Sequence, residues 1–152
     1  MRKAVATLLI GVALLGAAVV AACSGPSPSR QFRAVLQVSA EAPPLPVVLS
    51  DETDLVTTIE SAPLDPAADS ELAARADPTD PSAFIISWLG GACDNDASLT
   101  FKRIEAAYVL NVAVHGKITF PGGCTANGIF RAVRIVTSSP IPVDSIVAAG
   151  RT

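Results

Sequence analysis

The chain has 152 residues, with 11 basic against 14 acidic side chains and a single histidine. That length suits one domain, and a net charge of -3 excludes the basic surface that nucleic-acid binding requires. One histidine and three cysteines are too few, and too far apart, for a structural zinc site.

The first 22 residues are organised differently from the rest. Arg2 and Lys3 precede an apolar run, Ala4 to Ala22, in which Thr7 is the only polar residue. A basic start, an apolar stretch and small residues before a cut form a secretory signal. The run closes on Val20-Ala21-Ala22-Cys23, which resembles the lipobox of bacterial lipoproteins. That resemblance implies that residues 1–22 are a signal peptide, removed after the Cys23 thiol has been joined to diacylglycerol. The new amino group then takes a fatty acid such as palmitate, and lipid anchors the mature chain to the outer face of a bacterial membrane. The competing reading keeps residues 4–22 as a transmembrane anchor, since the run is long enough to span. Its Ala and Gly content makes insertion weak per residue.

Losing Arg2 and Lys3 with the leader leaves 9 basic against 14 acidic residues, a net of -5. Residues 41–80 hold ten of those acids against Arg75 alone, which reads as a solvated face. Residues 23–31, opening Cys-Ser-Gly-Pro-Ser-Pro-Ser, read as a flexible tether, because Gly, Pro and Ser supply neither periodicity nor apolar mass. Residues 32–152 are then a single β-rich domain.

Along that domain, Phe32 to Val38 alternates like a first strand, and Pro43, Pro44 and Pro46 interrupt it. Val47 to Leu49 and Leu55 to Ile59 flank the turn cluster Ser50 to Asp54 and are expected to pair as a small hairpin or an edge. Asp65-Pro66 is a helix opening, and Ala67 to Ala76 is expected to form one short helix in a crossover, stopped by Asp77-Pro78 and Asp80-Pro81. From Phe84 onward the pattern is β throughout: Phe84 to Leu89, Ser98 to Ile104, Tyr108 to His115, Lys117 to Phe120, Ile129 to Thr137 and Val143 to Ala148. The fold expected is all-β, a small antiparallel β-sandwich or barrel-like domain. Its core is expected from Phe84, Ile86, Trp88, Leu99, Phe101, Leu110, Val112, Val114, Ile129, Val133 and Ile135.

With Cys23 lipidated, Cys93 and Cys124 remain, and an exported protein in an oxidising compartment is expected to pair them in a disulfide. The stretch Trp88-Leu89-Gly90-Gly91-Ala92-Cys93-Asp94, followed by Cys124 and by Gly128 to Val133, resembles a pattern in exported bacterial proteins of no established activity. The likeness supports a β domain with one bridge and implies no chemistry.

Catalytic groupings are absent from the pattern. His115 lies at an alternating strand position with no Gly-x-Ser-x-Gly elbow elsewhere, and Gly90-Gly91 and Gly122-Gly123 lack phosphate-loop spacing; both glycine pairs read as turns of positive φ. Asp51-Glu52-Thr53-Asp54 and Asp94-Asn95-Asp96 lack the spaced ligands of a calcium loop and read as Asx turns. Arg131 shares parity with Ile129, Val133 and Ile135, so its guanidinium points into the core if that face is buried. Asp94, next to Cys93, is the expected partner of a buried ion pair; otherwise Arg131 snorkels to water. No cofactor and no metal are expected. The functional expectation is a binding or structural module of the cell envelope, with an envelope protein as a candidate partner. Inhibition of a secreted hydrolase is the alternative, and an enzyme the weaker one.

Overall fold

A computed structural model describes residues 29–37, 43–65, 72–116 and 128–151. They form the strands β1 (Arg30–Leu36), β2 (Leu45–Asp51), β3 (Val56–Ser61), β4 (Leu72–Ala76), β5 (Ala83–Gly91), β6 (Asp94–Ile104), β7 (Ala107–Gly116), β8 (Gly128–Thr137) and β9 (Ile146–Arg151). A single 3-10 turn, Val143–Ser145, precedes β9. The expected strand Lys117 to Phe120 lies outside the described residues.

Alternating apolar residues give each sheet one buried face. In β2 the residues Leu45, Val47, Leu49 and Asp51 are buried, while Pro46 is exposed and Val48 and Ser50 are partly so. The strands collect into a five-stranded sheet, β1-β2-β6-β7-β9, and a four-stranded sheet, β3-β8-β5-β4. The apolar faces of both meet in one core. Phe84 of β5 and Phe101 of β6 join the sheets there, their rings 5.6 Å apart and tilted by 42°, a favourable offset geometry. Nine of the expected core residues are buried; Val114 and Ile129 are only partly so, both lying near the open ends of their strands.

Three features differ from the sequence expectation. The four-stranded sheet is antiparallel throughout, but in the larger sheet β2 pairs parallel to β6 and β7 parallel to β9. The cause is connectivity: the chain leaves the larger sheet after β2 and after β7, runs through the other one, and re-enters in the same direction. Parallel neighbours need such long crossovers. Second, β2 and β3 do not form a hairpin; they belong to opposite sheets. Third, the expected helix is not formed over its second half, where β4 pairs with β5 from Leu72 opposite Trp88 to Ala76 opposite Phe84. Pairing to a fully buried neighbour overrides the helix preference of Ala, Leu and Arg. Residues 66–71 lie outside the described part. β1 opens at Arg30, so the regular structure reaches the last two residues assigned to the tether.

The sheet change after β2 rests on one carboxylate. Asp51 is fully buried; its Oδ1 accepts from the Thr53 amide (2.8 Å) and the Thr53 hydroxyl (2.6 Å), and its Oδ2 accepts from the Val56 amide (3.0 Å). The Glu52 amide donates to the Phe101 carbonyl at 2.8 Å, and Asp54 takes a φ of 59°. The Asx turn thus satisfies the backbone donors freed where the ladder ends. Asp51→Ala is expected to destabilise the fold by about 2–3 kcal/mol, through stranded donors, and Asp51→Asn by less because one acceptor survives. Urea denaturation measures both, and a loss below ~0.5 kcal/mol for the Ala variant, the level of an ordinary surface change, would contradict this role.

Candidate functional site

The first group of polar side chains lies where β5, the start of β6 and the start of β8 come together. β5 and β8 run antiparallel in unbroken register from Ala83 opposite Val136 to Gly91 opposite Gly128. That register sets Trp88 directly opposite Arg131. Trp88 is a core residue, as expected, and only 3% exposed. Residues directly opposite share a sheet face, so Arg131 also points between the sheets, and its relative exposure is 0%. The inward orientation expected from strand parity is the one observed; the side chain does not snorkel to water.

The expected Asp94–Arg131 ion pair has no direct contact in this geometry. Arg131 Nη1 donates to the Pro43 carbonyl at 2.9 Å. Asp94 Oδ2 accepts from the Gly91 amide at 2.6 Å, because the short Ala92-Cys93 turn brings that donor closer than the guanidinium. Burial pushes the Arg131 pKa down, and the Asp94 charge opposes that from a distance. Arg131 Nε, Arg131 Nη2 and Trp88 Nε1 are buried and have no hydrogen-bond partner among the described residues. Buried donors of this kind are rare in folded proteins.

Gly90 and Gly91 stand at the end of β5 without the positive φ expected of them. Their smallness is used for close approach: a Cβ on Gly90 would collide with the Asp94 carboxylate. Cys93, in the turn beside them, is disulfide-bonded. Cys23 and Cys124 lie outside the described residues.

A second group was not anticipated from the sequence. Arg134, on the outer face of β8, donates through Nε to Asp77, through Nη1 to Glu60 at 2.7 Å and through Nη2 to Asp80 at 2.7 Å. Glu60 is its cross-strand neighbour on β3, while Asp77 and Asp80 belong to the β4–β5 connection. That connection repeats one device, Asp-Pro-Thr/Ser: Asp77 Oδ1 accepts from the Thr79 amide and hydroxyl, and Asp80 Oδ1 from the Ser82 amide. The sequence signal was the doubled Asp-Pro, read only as a helix stop. Arg134 pins both edges of the four-stranded sheet to its centre.

His115 Nδ1 lies 2.7 Å from Asp96 Oδ1, with both side chains more than half exposed. They are cross-strand partners on β6 and β7, and among the described residues no serine hydroxyl joins them. Three carboxylates of the two acidic stretches are engaged locally: Asp51 in its turn, Asp94 on Gly91 and Asp96 on His115. Among the described residues no three His, Cys, Asp or Glu side chains cluster as metal ligands. No family model, no curated protein and no solved structure matches this chain.

The Arg134 hydrogen bond, backed by the Thr79 hydroxyl and amide, holds the Asp77 carboxyl well below the usual carboxylate range. Because the folded pKa is the depressed one, the stabilisation is complete above the unfolded aspartate value of about 3.9 and is lost as pH falls below it. Asp77→Asn is therefore expected to lower the thermal midpoint at neutral pH and to flatten its decline in acid. A variant whose midpoint falls in parallel with the wild type would show that Asp77 is not the acid-sensitive group.

Proposed function

We propose that the chain is an exported lipoprotein, held at a bacterial membrane by lipid on Cys23, whose β domain acts as a binding or structural module of the cell envelope. The observation that carries the reading is the sequence Val20-Ala21-Ala22-Cys23 at the end of the apolar run behind Arg2 and Lys3. A bonded Cys93 is in keeping with an oxidising compartment. The bridge is proposed to join Cys93 to Cys124, which leaves the Cys23 thiol for the lipid. Two lipid chains are sufficient for stable anchoring, so the tether and domain would stay at the membrane surface without a transmembrane helix.

The module is proposed as non-enzymatic because the acid–base groups that lie together at its surface are engaged with one another. His115 is paired to Asp96 at the surface, and the three carboxylates around Arg134 serve the edges of a sheet.

Metabolic labelling with palmitate is expected to mark the protein, and Cys23→Ala to abolish the label; a labelled Ala variant, or a mature protein that retains Met1, would refute the anchor. In the acylated protein no thiol should react with an alkylating reagent before reduction. Cys124→Ser should expose Cys93 and cost about 2–5 kcal/mol; Cys93 remaining blocked in that variant would assign the bridge to a different partner.

A further inference from the structure

The free edge of Arg131 has the shape of a ligand site. The two guanidinium nitrogens without partners among the described residues, Nε and Nη2, are not an arbitrary pair. They lie along one edge of the planar group, and their N–H bonds point the same way, the fork that takes both oxygens of a carboxylate. The opposite edge is fixed, since Nη1 donates to the Pro43 carbonyl. Trp88, directly across the ladder, adds a third buried donor, Nε1, also without an acceptor. The remaining neighbours on this face of β8 are Ile129 and Val133, which are apolar.

Among the described residues Asp94 is the carboxylate whose charge acts on Arg131, and it is committed elsewhere. Asp94 accepts the Gly91 amide, and its approach to Gly90 is already so close that a Cβ there would clash. A fully buried guanidinium with an open bidentate edge is costly, because a charge removed from water needs a counter-charge or a full set of hydrogen bonds. We infer that Arg131 and Trp88 form a binding site for a small organic carboxylate, held by the Nε/Nη2 edge with the indole N–H as a third donor. The apolar neighbours suit a ligand with a compact apolar body. Pro43, whose carbonyl holds the other edge, is exposed and outside any strand, so the guanidinium lies one contact from the surface. The inference goes beyond the proposed envelope role and is independent of acylation at Cys23.

Trp88 is the single tryptophan of the chain, so its fluorescence reports on this site directly. Acetate and propionate are titrated into the full chain in detergent, with chloride at equal ionic strength as the control. The expected result is a saturable change in Trp88 emission and a rise in the thermal midpoint with either carboxylate, neither seen with chloride. Binding to the folded state alone raises the midpoint by mass action. Arg131→Lys keeps the charge but loses the fork, and is expected to weaken acetate by about tenfold or more. If that variant does not fold, Trp88→Phe removes the third donor and is expected to reduce the midpoint rise given by acetate. The proposal is overturned if the wild type shows no saturable response, as when water or a carboxylate of the chain itself occupies the edge. It is equally overturned if phosphate responds and carboxylates do not, or if binding is unchanged in Arg131→Lys or, where that is unfolded, in Trp88→Phe.

Discussion

The antiparallel ladder between β5 and β8 is the constraint from which most of the molecule follows. β5 is buried on both faces from Ala83 to Trp88, because its inner side chains enter the shared core while Ile85 packs with Ala62 and Ala132 on the outer face. Such a strand tolerates no slip in register, since a shift by one residue exchanges every inner side chain for an outer one. The continuous pairing from Ala83 to Gly91 therefore fixes three things at once. It sends Phe84, Ile86 and Trp88 inward, it turns Arg131 inward opposite Trp88, and it leaves Arg134 outward to meet the carboxylates of both sheet edges.

Those two arginines, three residues apart on one strand, illustrate how environment divides one chemistry into two roles. Arg134 is only partly buried and has three carboxylates on its nitrogens; its contribution is to hold the edges of a sheet in place. The Glu60 contact, with an exposed partner, adds little, whereas Asp77 is nearly buried and its depressed pKa marks it as the main contact. Arg131 has no carboxylate in contact among the described residues and is fully buried. The first arrangement explains itself as stability, while the second cannot.

Much of the architecture was legible because alternation in a strand reports burial directly. Tyr108 to His115, Ile129 to Thr137 and Phe84 to Leu89 announced themselves as strands, and the parity of Arg131 with Val133 and Ile135 placed its guanidinium inside. What alternation does not report is which sheet a strand joins. The change of sheet after β2 depends on a carboxylate satisfying amides two and five residues further on, and Asp51 looked like an ordinary turn residue. β4 was hidden for another reason: its Ala and Leu content favours a helix in isolation, and only the exposed edge of β5 makes a strand of it. The position of Asp94 next to Cys93 brings its backbone near β8 without deciding which donor the carboxylate selects, and it selects the Gly91 amide.

The connectivity also governs when the fold can exist. Among the described strands only β1 with β2, β4 with β5, and β6 with β7 are sequential neighbours that pair; every other ladder joins strands separated by at least one visit to the opposite sheet. β8 lies between β3 and β5, so the smaller sheet has no centre until residues 128–137 arrive. Before β8 arrives, β1, β2, β6 and β7 can assemble through the β2–β6 pairing, while β3 and the β4–β5 hairpin stay unjoined and the core unfilled, a topology of non-local contacts that folds slowly. For the export proposed above, late closure would be an advantage, because it keeps the chain extended until nearly all of it has passed.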